Sequence, residues 1–240
     1  MKKIFFAIAL ASMAVACHTN DSTAEVGSIA INAATRNEVT DSTEGRFILA
    51  DAPAAENLKV EIVGNGKTQT WATLADFNAA KELRFISAPY TITLSYGEKG
   101  VEGWSKAYYE GSTSVEVPMY GLTAEADIEV VLQNSIVAIE ATDNFKGYFP
   151  QRSFKVKNIE WNDTKEELLF LNVGNVKITC EAVSQAGKTS TFETTVTLKQ
   201  ATRHTVIFDL STSGNAKVDV TFDGQIVEIV EQEFELNEKA

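Results

Sequence analysis

The sequence predicts an all-β protein made of two antiparallel β-sandwich domains. Three observations support this prediction. Short runs of residues alternate between apolar and polar side chains with a period of two, which is typical of strands that bury one face. Polar turns separate these runs at short intervals, and the chain of 240 residues contains only four prolines. Asp223-Gly224 lies between two alternating runs, which is a strong signal for a β-hairpin.

The N-terminus has the layout of a secretory signal peptide. Two lysines precede an apolar stretch from Ile4 to Val15, which is too short to span a bilayer comfortably, and small residues then lead into a cysteine. Ala14-Val15-Ala16-Cys17 resembles a lipobox, so residues 1–16 are predicted to be a lipoprotein signal peptide and Cys17 the lipidated first residue of the mature protein. The alternative is an ordinary secreted protein with a cysteine near its cleavage site.

The predicted strands form two groups after a flexible tether over residues 17–26. The first sandwich, residues 27–134, contains predicted strands at 27–31, 58–63, 90–96, 114–119 and 126–132. The second sandwich, residues 135–240, contains predicted strands at 136–140, 154–156, 168–170, 176–182, 191–198, 205–210 and 216–222. Both are expected to be immunoglobulin-like or transthyretin-like, and the second ends in a C-terminal hairpin whose last strand covers residues 226–236.

Two further segments and a weak repeat complete the predicted organisation. Residues 32–46 are polar and are predicted to form a long loop, whereas Thr73–Asn78 is either one helical turn or a crossover loop. The pattern of Asp127–Leu132 recurs 78 residues later at Thr205–Leu210, which supports two domains. Convergence of unrelated strands on one pattern explains the repeat equally well.

The charge of the chain argues against nucleic acid as a partner. The precursor has 33 acidic and 21 basic residues, and loss of the two lysines of the signal peptide leaves 19 basic residues and a net charge of −14. Such a charge repels phosphate backbones and anionic lipid head groups, and no basic patch offsets it. After Cys17 no apolar run is long enough to cross a membrane, so the only predicted membrane contact is the lipid.

No catalytic site, metal site or cofactor is predicted. His18 and His204 lie outside any HxH or HExxH pattern, no CxxC spacing exists, and no serine lies in a GxSxG motif. If Cys17 carries lipid, Cys180 has no partner for a disulfide. Cys180 occupies an apolar position of its strand, so it is predicted to be a small buried residue and not a reactive thiol.

Three aromatic residues are the candidates for a ligand surface. Trp104, Tyr108 and Tyr109 lie in a glycine-containing stretch where strand alternation lapses. Aromatic rings on loops at the end of a β scaffold can stack on sugar rings. The alternative is that these rings only cap the open end of the first sandwich. Trp71 and Trp161 are predicted to pack in the core or against loops.

Several motifs resemble a known family. Pro89–Leu94, Ala107-Tyr108-Tyr109-Glu110-Gly111 and Ile128–Ile139 are similar to the pattern of the Bacteroidales lipoproteins grouped as a domain of unknown function, DUF4493. The chain departs from that pattern at Ala88-Pro89 and at Leu132. The resemblance implies an exported lipoprotein with a β architecture, and it implies no reaction. The paired sandwiches are also similar to those of fimbrillins, which are made as lipoprotein precursors.

Two short tripeptides predict a modification. Asp21-Ser22-Thr23 and Asp41-Ser42-Thr43 resemble the pattern that Bacteroidota O-glycosylate in the periplasm, and both lie in segments expected to be accessible. Ser22 and Ser42 are therefore predicted O-glycosylation sites. A chance match to so short a pattern is the alternative.

The sequence leaves two functions open. The first is a non-catalytic binding or adhesion module, held at the outer membrane by its lipid and recognising a glycan or an envelope protein at the surface or the periplasmic face. The second is a fimbrillin-like structural subunit, in which a protease cuts after Arg36 or Arg46 and a neighbour's C-terminal strand replaces the removed first strand. The missing catalytic motifs argue against an enzyme.

Overall fold

A computed structural model describes residues 25–41, 45–80, 83–161, 164–210, 216–222 and 225–228 of the chain. Most of the regular structure in these ranges is β-strand, which confirms the prediction of an all-β fold. Cys17, Ser22 and Ser42 lie outside the described residues, as does much of the expected last strand. Lipidation and O-glycosylation therefore stay predictions.

Strands follow one another along the whole described chain. The first ten are β1 (Val26–Thr35), β2 (Glu38–Asp41), β3 (Phe47–Ile48), β4 (Lys59–Gly64), β5 (Lys67–Trp71), β6 (Phe85–Ile86), β7 (Pro89–Tyr96), β8 (Gly103–Trp104), β9 (Tyr109–Glu116) and β10 (Thr123–Leu132). The others are β11 (Ser135–Ala141), β12 (Gln151–Val156), β13 (Ile159–Glu160), β14 (Leu169–Leu171), β15 (Gly174–Val183), β16 (Thr189–Leu198), β17 (Thr202–Leu210), β18 (Ala216–Phe222) and β19 (Gln225–Glu228). Two helices, α1 (Leu74–Ala79) and α2 (Asp143–Tyr148), and a 3-10 turn at Ala55–Asn57 complete the elements.

The chain divides into two compact units, each built from separate stretches of sequence. Unit 1 comprises residues 25–37, Ala50–Gly97 and Tyr109–Val131, and unit 2 comprises Glu38–Leu49, Glu98–Tyr108 and the residues from Leu132 onward. The last change of unit, after Val131, lies close to the boundary expected at residue 134. The assignment of segments 38–49 and 98–108 differs from the expectation. Both lie inside the expected first domain, but they belong to unit 2. The reason is strand pairing, since β2 pairs with β17 and β8 with β14.

Unit 1 is built on a seven-stranded sheet in the order β5-β4-β7-β9-β10-β1-β6. Its strands bury alternate residues: in β10 the even-numbered residues from Ala124 to Leu132 are buried. The pairs β4·β5, β4·β7 and β7·β9 are antiparallel, whereas β1 and β10 are parallel over eight residue pairs. The first strand of the unit therefore lies beside its last one. Helix α1 contacts β4 and β5 and contributes Leu74 and Phe77 to the core.

Unit 2 contains two sheets. One has the order β19-β18-β17-β11-β14-β8, with β2 paired to β17 and β3 to β2, and the other has the order β13-β12-β15-β16. Both sheets and α2 contribute residues to one hydrophobic core. Phe145 of α2 is completely buried, and its ring centroid lies 5.0 Å from that of Phe149 and 5.7 Å from those of Phe192 and Phe208. β11 and β17 are parallel over six residue pairs, which repeats the arrangement of β1 and β10.

Two expectations about local structure differ from the fold. Residues 32–46 are not one long loop, because β1 continues to Thr35 and β2 follows within the same stretch. The apolar pattern does not reveal β2, since one of its two buried residues is the charged Asp41. Helix α2 was not expected either, because six residues are too few to show a helical period.

Thr73–Asn78 was expected to form either one helical turn or a crossover loop, and the structure shows the helical turn, α1. Thr73 Oγ1 accepts a hydrogen bond from the backbone N–H of Asp76 at 3.0 Å, which satisfies one of the donors left open at the start of α1. Both helices are short. Over the residues that the structure describes, no helix has the length and apolar character needed to cross a bilayer.

Candidate functional site

The structure buries two of the three aromatic residues expected at a ligand surface. Tyr109 is 1% exposed in unit 1, and burial, together with the nearby charge of Asp51, raises the pKa of its hydroxyl to about 12. Tyr108 is 7% exposed and belongs to unit 2, where its backbone N–H donates to Asn134 Oδ1 at 2.6 Å. Rings buried to this degree have no face left for a ligand. Tyr109 packs within unit 1, in keeping with the alternative of a capping role in the first domain, whereas Tyr108 packs within unit 2.

Close packing also explains the motif Tyr108-Tyr109-Glu110-Gly111, which carries part of the family resemblance. A Cβ atom placed on Gly111 in β9 would lie 2.2 Å from the carbonyl oxygen of Glu129 in β10. No side chain fits at that distance, so the two strands approach this closely only with glycine at this position. The motif therefore serves packing between these two strands.

Trp104 stays partly exposed and lies beside a second tryptophan. It belongs to β8, opposite Leu169 of β14, and packs against the core of unit 2. The ring centroids of Trp104 and Trp161 are 5.2 Å apart, and the ring planes meet at 43°. Lys165 Nζ lies 5.0 Å from the centroid of the Trp104 ring, which is within range for a cation–π contact. The two indoles therefore form one aromatic cluster on unit 2.

Trp161 lines a groove on unit 2, termed here the Trp161 groove. The groove consists of two cavities of about 280 and 210 Å³ that share Arg152, Phe154 and Trp161 as walls. Glu140 and Lys146 also line the larger cavity. Together the two cavities reach the lower end of the size range of sites for small ligands.

The groove combines an aromatic face with charged side chains of both signs. Arg152 Nη1 donates to the carbonyl oxygen of Phe149 at 3.2 Å, which orients the guanidinium. Lys146 and Glu140 are exposed residues of the larger cavity. An indole face, hydrogen-bond donors and a carboxylate acceptor match the C–H faces and hydroxyl groups of a sugar. Glu140 is the one carboxylate among the described residues that line the groove. Enzymes that hydrolyse glycosidic bonds normally use a pair of carboxylates.

A partly exposed network of hydrogen bonds holds Trp104 beside Trp161. Glu102, two residues before Trp104, accepts hydrogen bonds from Lys157 Nζ at 2.6 and 2.9 Å. The same carboxylate accepts from the backbone N–H of Asn172 at 2.8 Å. Lys157 lies in the turn between β12 and β13, and Asn172 follows β14. Glu102 therefore ties together the three segments that surround the two indoles.

The one cysteine and the one histidine among the described residues are both buried. Cys180 is 0% exposed, and burial raises the pKa of its thiol to about 12, which confirms the prediction of a buried residue. His204 is also completely buried, and its Nε2 accepts a hydrogen bond from the backbone N–H of Lys199 at 3.0 Å. Within the described ranges, no group of three His, Cys, Asp or Glu residues is placed to hold a metal ion.

Both arginines expected as protease cleavage sites are exposed. Arg36 directly follows β1, and its backbone N–H donates to the carbonyl oxygen of Val130 at 2.8 Å. Arg46 lies just before β3, and its side chain, which is 66% exposed, pairs with Glu38 at 3.4 Å. A protease could reach either side chain without unfolding a core.

The segment between these two arginines is bound to unit 2 by a buried ion pair. Asp41 Oδ2 lies 3.0 Å from Arg203 Nη1, and the side chains are 0% and 21% exposed, respectively. The guanidinium of Arg203 also lies 4.6 Å from the centroid of the Phe47 ring. β2 pairs in parallel with β17 at the same place. Segment 38–49 is therefore an integral part of unit 2.

Sequence reasoning selected Trp104 and missed the groove beside it. Trp161 follows a strand of two residues and precedes the polar pair Asn162-Asp163, so strand alternation lapses there as it does around Trp104. One part of the criterion that selected Trp104, the lapse of alternation, therefore applies to Trp161 as well, whereas the other part, neighbouring glycines, does not. Arg152 carries no comparable signal, because its place on the groove depends on the pairing of β12 with β15.

Solved structures of known proteins are similar to this chain at low sequence identity. A fimbrial assembly protein from Parabacteroides distasonis is similar with a TM-score of 0.50 and 7% identity, over 85% of this chain and 98% of that one. A protein from Bacteroides eggerthii, named as a "putative cell adhesion protein", is similar with a TM-score of 0.43 and 9% identity, over 85% and 98% of the two chains. No curated protein shows significant sequence similarity.

One family model matches almost the whole chain. The family is described as "Domain of unknown function (DUF4493)", and the match covers residues 16–238. It includes both units and the motif Tyr108-Tyr109-Glu110-Gly111, which confirms the resemblance seen in the sequence. The chain therefore belongs to the family described as Domain of unknown function (DUF4493).

Proposed function

We propose that the protein is a non-catalytic binding module of the bacterial cell envelope and that it binds a glycan in the Trp161 groove. The observation that carries the proposal is the indole of Trp161 on a wall that also contains Arg152 and Glu140. The indole stacks on the C–H face of a sugar, while the guanidinium and the carboxylate bind its hydroxyl groups. The name of the fimbrial assembly protein that shares the fold supports an envelope role.

Binding in this groove is expected to be weak for a single site. Stacking of one ring contributes on the order of 1 kcal/mol beyond burial, and the two cavities are small. Many copies anchored on one membrane raise the avidity for a repeating polysaccharide without any new contact. A binding assay must therefore present the glycan at high density.

A glycan array tests this proposal with one variant and one matched control. Trp161→Leu removes the indole of the groove, whereas Trp71→Leu removes an indole of unit 1 that packs on Phe77 at 5.0 Å. We expect the wild type and Trp71→Leu to bind the same glycans and Trp161→Leu to lose them, with the melting temperature of unit 2 retained. Glycan binding that survives Trp161→Leu, or that is lost equally in Trp71→Leu, contradicts the proposal.

The lipid on Cys17 is the proposed link to the outer membrane. The small residues that precede this cysteine after a signal-type apolar stretch support it. Cys17→Ala is expected to abolish incorporation of labelled palmitate and to leave an uncleaved or soluble protein. Palmitate incorporation that persists in Cys17→Ala contradicts the anchor.

A second candidate function is a fimbrillin-like subunit assembled by strand exchange. The observation that favours it is β1, which past Gly27 pairs only with β10 among the described strands and is followed by the exposed Arg36. A cut after Arg36 would leave β1 held by non-covalent contacts alone, and its removal would open a groove beside β10 for a donor strand. A cut after Arg46 would also detach Asp41 from the chain of unit 2 and leave Arg203 without this carboxylate.

The mature N-terminus in cells distinguishes the two functions. A start at lipidated Cys17 supports the anchored binding module, whereas a start at Asn37 supports strand exchange. A start at Phe47 also supports strand exchange, and it contradicts the inference that the Asp41–Arg203 pair keeps segment 38–46 in place. N-terminal peptide mapping of the protein purified from envelopes provides the measurement.

A further inference from the structure

One end of unit 1 concentrates exposed apolar side chains. Met119, Tyr120 and Leu122, in the turn between β9 and β10, are 46%, 73% and 61% exposed, and Ile86 of β6 is 48% exposed. These four residues, termed here the turn patch, are half of the eight large hydrophobic residues that are exposed in the described part of the chain. Contiguous apolar surface of this kind marks a contact with a partner or a membrane.

The turn patch lies where the described chain enters unit 1. The carbonyl oxygen of Val26 accepts a hydrogen bond from the backbone N–H of Gly121 at 2.8 Å, and that of Leu122 accepts from Ser28 at 3.0 Å. Val26 is also the strand partner of Ile86. The first residues of β1 therefore lie between β6 and the turn, with exposed apolar residues on both sides.

Backbone contacts fix the turn in this position. A Cβ atom placed on Gly27 would lie 2.3 Å from the carbonyl oxygen of Pro118 and 2.8 Å from that of Leu122, so the turn packs directly on the first strand. Tyr120 has a φ of +62°, which a bulky residue rarely adopts. A strained conformation that points a large ring into solvent is more typical of a contact site than of a passive turn.

We propose that the turn patch inserts into the lipid interface of the outer membrane, as a second contact beside the lipid on Cys17. The proposal rests on that proposed anchor. Between Cys17 and Val26 the extended chain spans at most about 30 Å, so the lipid keeps the start of β1 close to the bilayer. Tyrosine and aliphatic side chains are favourable at the boundary between head groups and acyl chains.

The charge distribution favours an uncharged lipid surface as the occupant. The chain has a net charge of −12, which repels anionic head groups, yet residues 85–97 and 117–124 contain no charged side chain. The carboxylates nearest in sequence to the turn, Glu116 and Glu125, lie in β9 and β10. Glu25 is the charged residue closest to the patch through backbone contacts, because its carbonyl oxygen accepts a hydrogen bond from the backbone N–H of Ser87 at 2.8 Å. Its exposed side chain stays among the head groups, while the four uncharged residues of the patch enter a zwitterionic interface.

Spin labelling of the full-length lipoprotein in phosphatidylcholine vesicles tests the proposal. Tyr120→Cys places a nitroxide on the turn patch. Tyr96→Cys is the matched control, because Tyr96 is also an exposed tyrosine of unit 1, with an exposed fraction of 44%. It lies at the end of β7 that pairs with Tyr109, whereas the other end of β7 pairs with Glu116, next to the turn. Cys180 is completely buried and a lipidated Cys17 has no thiol, so the wild type should take up no label.

We expect the label at Tyr120→Cys to be accessible to O₂, shielded from a water-soluble nickel chelate and about 5 Å below the phosphates. The label at Tyr96→Cys should be accessible to the chelate. Full access of the chelate to the Tyr120→Cys label would place the patch in water, and shielding from both reagents would mean that a protein, such as a second copy, covers it. Either result overturns the proposal. If the wild type took up label, the thiol of Cys17 would be free. That result would contradict both the proposed lipid on Cys17 and the membrane contact that rests on it.

Discussion

Replacement of Asp41 by asparagine is expected to destabilise unit 2, because it removes one partner of a buried ion pair. The Asp41 carboxylate is 0% exposed and lies 3.0 Å from the guanidinium of Arg203, which is 21% exposed. Breaking a fully buried pair from one side costs about 3–5 kcal/mol, since the remaining charge stays buried. Arg203 keeps some contact with water, so we expect a loss of about 2–3 kcal/mol in the free energy of unfolding.

The same segment supplies a matched control. Glu38 pairs with Arg46 at 3.4 Å, but both side chains are largely exposed, at 44% and 66%. An exposed pair contributes at most about 1 kcal/mol, so Glu38→Gln should change the stability of unit 2 very little. Both substitutions replace a carboxylate by the matching amide in strand β2. The difference between them therefore reports burial and not the loss of one negative charge.

Urea unfolding followed by tryptophan fluorescence measures the two variants, because Trp104 and Trp161 both belong to unit 2. The double variant Asp41→Asn, Arg203→Met should lose less stability than the sum of the single variants, since no unpaired charge is left buried. If Asp41→Asn costs no more than Glu38→Gln, the pair does not hold segment 38–49 to unit 2. A cut after Arg46 would then cost unit 2 no stability through the loss of this pair.

Three further predictions concern buried groups. Phe145→Ala should lower the free energy of unfolding, measured in urea, by about 3–5 kcal/mol, because the ring is completely buried among three other phenylalanine rings. A loss below about 1 kcal/mol would contradict the packing of α2. Gly111→Ala should destabilise unit 1 by about 1–3 kcal/mol or more, since the Cβ of the new alanine would lie 2.2 Å from a backbone oxygen. An unchanged melting temperature would refute this contact. Burial raises the pKa of Cys180 to about 12 from an ordinary value of 9.0. Its contribution to stability is therefore fully present below the ordinary pKa and is lost as the pH rises toward 12. The wild type should lose stability over this range more steeply than Cys180→Val, and parallel pH profiles would contradict the shift.

The strands that sequence analysis located best are those with one buried face. The alternating pattern of residues 126–132 predicted most of β10, and that of residues 191–198 predicted most of β16, because burial of every second residue leaves a direct trace in the sequence. The parallel pairing of β1 with β10 leaves no such trace, since the partners Ser28 and Thr123 are far apart in the chain. For the same reason, the assignment of segments 38–49 and 98–108 to unit 2 could not be predicted.

The candidate site was predictable only in part. Trp104 was selected as an aromatic residue outside regular alternation, and it does lie in the aromatic cluster. Tyr108 and Tyr109 met the same criterion and are buried, because the criterion describes local sequence whereas burial depends on how distant strands pack. Arg152 lies beside Trp161 through the tertiary arrangement of β12, which no local pattern encodes.

The most direct test of the Trp161 groove is NMR of the protein with ¹⁵N-labelled indole groups, titrated with the glycan bound most strongly on the array. The chain has three tryptophans, so the spectrum contains three indole N–H signals that single substitutions assign. We predict that the signal of Trp161 shifts most, that of Trp104 shifts less through its contact with Trp161, and that of Trp71 stays in place. A bound glycan that shifts Trp71 and leaves Trp161 unchanged would contradict the account.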